Sequence, residues 1–164
     1  MAQQSPRRLE LTVTADQAGE KIDTLLRREL RLSGTVIRRV KWLDDGILLD
    51  GMRVTTACRP AAGQVLSVRV ADPDGQGDMV PTPGPLDIVY EDGDLLVLNK
   101  PAGLAMHPMS TDLAAPNLAG ALVAYLGEGT VPHFVSRLDK GTSGLLIAAK
   151  SGYVHELLRR ALHS

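Results

Sequence analysis

The sequence predicts an α+β chain built as two modules. Three observations carry that reading. Short runs in which apolar residues alternate with polar ones, such as Leu9, Leu11 and Val13, are mixed with stretches of helical spacing, such as Ile22, Leu25, Leu26 and Leu30. A Pro- and Gly-rich stretch, residues 71–85, divides the chain. Hydrophobic residues make up 44% of the 164, ordinary for a folded protein, so wholesale disorder is excluded and two small domains fit the length.

In the first module, residues 9–70, Leu9 to Val13 reads as a strand and Ile22 to Leu30 as a helix. Ser33 is a good N-cap for a second helix, which puts Val36, Val40 and Leu43 on one face and Arg38, Arg39 and Lys41 on the other. Gly46 is expected to stop it. Ile47–Leu49 and Arg53–Val54 flank Asp50-Gly51, a strong hairpin signal. Val65–Val70 completes the module as a strand.

Pro73, Gly75, Gly77, Pro81, Pro83, Gly84 and Pro85 leave residues 71–85 little that could form a core. The stretch reads as a linker that lets the two modules move. Leu86–Tyr90 and Leu95–Leu98 then read as strands around a Glu-Asp-Gly-Asp turn. Asn117 caps an apolar helix with Leu118, Leu122 and Leu126. His133–Asp139 and Leu145–Ala149 read as strands, and Ser151 caps a last helix carrying Leu157, Leu158 and Leu162.

The densest chemistry lies in the nine-residue run Arg137-Leu138-Asp139-Lys140-Gly141-Thr142-Ser143-Gly144-Leu145. Residues two apart on a strand share a face. If His133–Asp139 is a strand, Arg137 and Asp139 lie side by side while Leu138 enters a core. An adjacent cation keeps a carboxylate ionised, and a buried, oriented carboxylate can serve as nucleophile or base. Gly141 and Gly144 allow a tight turn and close approach of a ligand. The plainer alternative is a surface turn with a salt bridge.

This run resembles the catalytic motif of the RluA-type RNA pseudouridine synthases. A second stretch, Tyr90-Glu91-Asp92 through Lys100-Pro101-Ala102-Gly103 to His107-Pro108, resembles another motif of that family, at the start of its catalytic domain. The order of elements from Gly19 to Val70 resembles the S-four-like, or alpha-L, RNA-binding module. The resemblance implies a small S-four-like module (9–70), then the first part of a mixed or antiparallel-sheet synthase catalytic domain (86–164). It implies Asp139 as the catalytic residue. Arg137 would orient Asp139 or help fill the space of a flipped base. Thr142, Ser143 and Gly144 would shape the pocket, and Lys100 and His107 would belong to the cleft wall. Arg27, Arg28, Arg31, Arg38, Arg39 and Lys41 would grip RNA phosphates, giving salt-sensitive affinity and positioning rather than sequence readout.

The implied reaction converts uridine to pseudouridine. It breaks an N–C glycosidic bond and rejoins the base through carbon, with no redox change or group donor, so no cofactor and no metal is expected. The base must be flipped out of folded RNA. Asp139 would then attack C1′ or remove the C2′ proton, and the sequence leaves both routes open. Ribosomal RNA ranks ahead of transfer RNA as the target.

Two departures from the family pattern stand out. Ser136 occupies the position before Arg-Leu-Asp where the family usually has His, so no acid/base role for that histidine carries over. The chain reaches Ser164 about where a further strand would supply an active-site tyrosine, and Tyr153 falls inside a helix and is not its equivalent. The catalytic domain therefore reads as incomplete, with open strand edges and uncovered apolar helix faces. The corresponding expectation is a chain that expresses poorly, or binds RNA without isomerising it.

Bulk properties narrow the rest. Net charge is −1, but residues 20–70 hold ten Lys/Arg against six Asp/Glu, and residues 71–100 hold one against seven. Only the first could meet phosphates. Single Cys58 excludes an intrachain disulfide and a Cys-rich zinc site. No apolar stretch approaches membrane-spanning length, and the polar N-terminus lacks a secretory signal, so a cytoplasmic monomer is the default. Aromatics are 3%, which disfavours an aromatic stacking sheet of the RRM kind. The rival readings are an RNA-binding protein without catalysis, using residues 9–70 alone, and an Asp-nucleophile hydrolase. The hydrolase would leave the basic module unexplained and would want a metal-binding acid cluster near Asp139.

Overall fold

The computed structural model describes residues 6–72 and 77–164. Residues 1–5, and Pro73 and Gly75 of the expected linker, lie outside the described residues. The chain divides into two compact units, Met1–Ala71 and Asp72–Ser164.

The first unit pairs two short helices with one antiparallel sheet. Strand β1 (Arg8–Thr12) is followed by α1 (Ile22–Arg28) and α2 (Gly34–Val40), then by β2 (Ile47–Leu49), β3 (Met52–Arg53) and β4 (Val65–Arg69). The sheet order is β1-β4-β2-β3. At seven residues each, neither helix would persist alone in water. Packing holds them: Ile22, Leu25 and Leu26 of α1 and Val36, Ile37 and Val40 of α2 are buried, as are Leu66 and Val68 of β4. Each such side chain contributes about 1.5–3 kcal/mol relative to exposure. Ser33 caps α2 as expected, its hydroxyl accepting from the Val36 amide at 3.2 Å.

The Asp50-Gly51 hairpin forms between β2 and β3. Both residues have positive φ, 49° and 82°, the signature of the tight turn whose twist matches its strands. Helix α2 ends at Val40, earlier than Gly46. The chain turns over Lys41–Asp45, and a Cβ at Gly46 would lie 1.8 Å from the Val40 carbonyl oxygen. Gly46 thus permits the return of the chain rather than stopping the helix.

The second unit opens with β5 (Ile88–Glu91) and β6 (Leu95–Lys100), continues through α3 (Leu118–Leu126), β7 (His133–Phe134) and β8 (Gly144–Ala149), and closes with α4 (Gly152–Leu162). All its strand pairs are antiparallel, in the order β5-β6-β8-β7. Leu96, Leu98, Leu146 and Ala148 from the two central strands form a core with Met106 and with Leu118 and Leu122 of α3. Asn117 and Ser151 cap α3 and α4, accepting from the Gly120 amide at 2.7 Å and the Val154 amide at 3.2 Å.

Two expectations need correction here. The segment assigned to a linker is tied to the second unit. The Gly77 amide donates to the Gly129 carbonyl at 2.9 Å and the Thr82 amide to the Gly120 carbonyl at 3.1 Å. The Asp72 carboxylate accepts from the Gly152 amide at 2.9 Å and pairs with His133. Most of these ties are backbone groups, which composition does not reveal. The strand expected over His133–Asp139 stops at Phe134, and the chain then runs as a loop to Ser143.

Candidate active site

Strands β6 and β8 are paired up to Lys100 opposite Gly144. That register sets the loop leaving β6 beside the loop entering β8, which carries Arg137 to Ser143. Leu96, Leu98 and Lys100 are alternate residues of β6 and all are buried, so Lys100 continues the core-facing side of the strand. A buried ammonium is costly unless it is fully hydrogen bonded. Lys100 Nζ donates to the carbonyls of Thr142 at 2.7 Å, Pro101 at 3.0 Å and Lys140 at 3.2 Å. The Lys140 carbonyl also accepts from the Gly103 amide at 2.7 Å, and Gly103 has a φ of 90° that few other residues adopt. The Lys-Pro-x-Gly loop therefore grips the backbone immediately after Asp139. Lys100 was expected on a cleft wall. It is wholly buried, and its ammonium is bonded to the backbone of the loop that follows Asp139.

Asp139 sits at the start of a turn closed by the Thr142 amide donating to its carbonyl at 3.0 Å. Leu138 packs against the core cluster, as expected. Asp139 is exposed, contrary to its expected burial, and Arg137 is exposed as well. The reason is the short β7. Alternation of faces holds only within a strand, and beyond Phe134 nothing forces the two side chains onto one protected face. No ion pair joins them, and among the described residues no hydrogen bond reaches the Asp139 carboxylate. Arg137 lies instead within electrostatic reach of His107. The half-buried imidazole has a pKa below its ordinary value, first because burial disfavours the cation and second because Arg137 repels it. His107 also meets the Phe134 ring edge-on, 5.7 Å between centroids. Thr142 and Ser143 are exposed on the loop, and Gly144 begins β8. The structure thus gathers Lys100, His107, Arg137, Asp139 and Thr142–Gly144 around the adjoining loops, but leaves the carboxylate open to water. Among the described residues no group of three His, Cys, Asp or Glu side chains gathers as metal ligands.

The basic residues of the first unit are unequal. Arg27 pairs with Asp23 at 2.9 Å. Arg28 is held by Glu20 at 2.8 Å and Glu29 at 2.7 Å, and these two carboxylates raise its pKa. Arg38 bonds Thr35 at 3.3 Å. Its guanidinium and that of Arg27 converge over Gly34, 3.2 and 3.3 Å from the Cβ position there. Arg31 stands between the helices with a φ of 55°, and Arg39 lies on α2. Lys41 caps the C-terminus of α2 and lies over the Trp42 ring. The sequence reading passed over Trp42, whose signal was a lone tryptophan directly after a run of cations.

Residues 94–164, which hold both adjoining loops, match the family model described as RNA pseudouridylate synthase. This stretch of the chain is similar to that family. An uncharacterized RNA pseudouridine synthase of Bacillus subtilis is 35% identical over 158 residues, covering 92% of this chain and 51% of the relative. The ribosomal large subunit pseudouridine synthase D of Neisseria meningitidis is 33% identical over 153 residues, covering 92% and 41%. That of Yersinia pestis is 35% identical over 167 residues, covering 100% and 50%. The similarity to these pseudouridine synthases takes in the first unit as well as the second. The chain spans about half the length of the curated relatives it matches.

Proposed function

We propose that the protein isomerises uridine to pseudouridine in structured RNA, with Asp139 as the catalytic carboxylate. The observation that carries this reading is the grip of Lys100 and Gly103 on the Lys140 carbonyl, one residue beyond Asp139, within a segment matched to the synthase family. Positioning matters because an aspartate is ionised at neutral pH without help. The reaction asks for a carboxylate held at the ribose, and a loop tied at its backbone supplies that. The uridine is flipped onto the loop. Asp139 then attacks C1′ or takes the C2′ proton as the bond to N1 breaks. The uracil turns and C5 bonds to C1′, either as the Asp139–C1′ bond breaks or as C2′ regains its proton; C5 then loses a proton and N1 gains one, so the atoms of the uridine are conserved. Because the carboxylate is exposed, the incoming nucleotide itself must displace its water.

Arg137 and His107 flank the flipped base, and Thr142, Ser143 and Gly144 shape the surface that receives it. The first unit acts as an S-four-like module whose Arg27, Arg28, Arg31, Arg38, Arg39 and Lys41 meet phosphates. Ribosomal RNA is the favoured target, because several relatives are named as synthases of the ribosomal large subunit. A monomer acting on RNA in the cytoplasm fits this reading. No helix among the described residues is long and apolar enough to cross a membrane.

The exposure of Asp139 favours a second reading, RNA binding without turnover. One experiment separates them: pseudouridine formation in a ribosomal RNA transcript by the chain and by Asp139→Ala, with RNA affinity measured alongside. The synthase reading expects conversion that Asp139→Ala abolishes while affinity stays. RNA binding with no conversion by either chain supports the binder.

A further inference from the structure

We propose that Trp42 is a stacking platform for one unpaired RNA base, with Lys41 and Arg53 receiving the phosphates on either side. The inference rests on the RNA-binding reading and adds a site to it. Trp42 is 75% exposed in the turn after α2, an unusual place for the largest apolar side chain. It lines a surface hollow of about 380 Å³ together with Lys41, Arg53, Val54, Thr55 and Thr56. That is at the lower end of the range of small-molecule pockets in general. The Lys41 ammonium lies 5.0 Å from the ring centroid, so a cation is already drawn to the indole face. Arg53 donates to Asp44 at 2.8 Å, but the Asp44 side chain is 99% exposed. An ion pair so open to water is weak, and a phosphate can displace it. An aromatic face, an apolar wall from Val54 and two flanking cations are the combination that unpaired nucleotides recognise. A paired duplex presents no free base face to this hollow.

Trp42 is the single tryptophan of the chain, so its emission reports this site alone. The test titrates the full chain with an end-labelled RNA hairpin bearing an unpaired loop, and separately with a fully paired duplex of equal phosphate count. Label anisotropy reads binding and tryptophan emission reads stacking. The hairpin is expected to quench emission in step with its binding, and the duplex to bind with little quenching. Trp42→Ala should weaken hairpin binding about tenfold and leave duplex binding nearly unchanged, while Trp42→Phe keeps most of the affinity. Hairpin binding without quenching, equal quenching by both RNAs, or undiminished hairpin affinity in Trp42→Ala overturns the platform and leaves the RNA-binding reading standing. Absence of binding to either RNA at low salt overturns both.

Discussion

The Lys100 ammonium donates to the Thr142 carbonyl at 2.7 Å across 42 residues of sequence. This bond, with those to Pro101 and Lys140, joins two loops that leave neighbouring strands at the same end of the sheet. A strand residue facing the core is thereby made the anchor of the loop that carries Asp139.

Lys100→Met should therefore loosen that loop while keeping the packing of β6. Methionine fills similar space but donates nothing, so the Thr142 carbonyl loses its ammonium donor while the Lys140 carbonyl keeps its bond from Gly103. We expect a loss of about 2–4 kcal/mol in stability. Amide exchange at Gly103 and Thr142 should rise more than exchange in β4 of the first unit. Unchanged exchange at both amides would show that the ammonium is dispensable to the loop.

His107 gives a pH signature. Its imidazole sits below the ordinary value of 6.5 in the folded chain, through burial first and the Arg137 charge second. In the unfolded chain it titrates near that ordinary value. As pH falls below about 6.5, the unfolded state takes up a proton that the folded state resists, so stability present above that pH is lost on the way down to the folded value. His155, lowered chiefly by burial, acts in the same direction. Arg137→Gln removes one cause, and the NMR titration midpoint of His107 should move up. A midpoint that stays or falls refutes the electrostatic contact.

Much of this architecture was legible because its signals are local. Asp50-Gly51 has to turn with two positive φ angles, and Asn117 and Ser151 each offer an oxygen to an amide three residues on. The motif loops were legible as a resemblance, and the loop after β6 does adjoin the loop before β8. Three features were not. The length of β7 depends on its partner β8, which pairs with only His133 and Phe134. The inward turn of Lys100 depends on carbonyls forty and forty-two residues away. The pairing of Arg28 with Glu20 spans eight residues, outside the spacing at which charges on one helix face each other.

The hairpin and the cap of α3 offer two separate checks on stability. Gly51 has a φ of 82°, so Gly51→Ala should cost about 1–2 kcal/mol in the first unit. Asn117 is buried and accepts from the Gly120 amide, so Asn117→Ala should cost about 1–2 kcal/mol in the second. Residue-resolved amide exchange should place each loss in its own unit. A loss shared equally by both units would contradict the division at residue 71.

The basic residues of the first unit make a prediction with opposite signs. Arg38 bonds only a threonine hydroxyl among its described partners, so its charge is available to a phosphate. Arg28 is held by two carboxylates. Arg38→Gln should weaken RNA binding at every sequence alike and lower the salt dependence by about one phosphate contact. Glu20→Gln removes one of the two acids on Arg28 and should strengthen binding, since the freed guanidinium adds a contact and a repulsive charge is gone. Affinities measured across a salt series distinguish these outcomes. If Glu20→Gln weakens binding as Arg38→Gln does, the Arg28–Glu20 pair serves to build the RNA-binding surface rather than to compete with RNA for it.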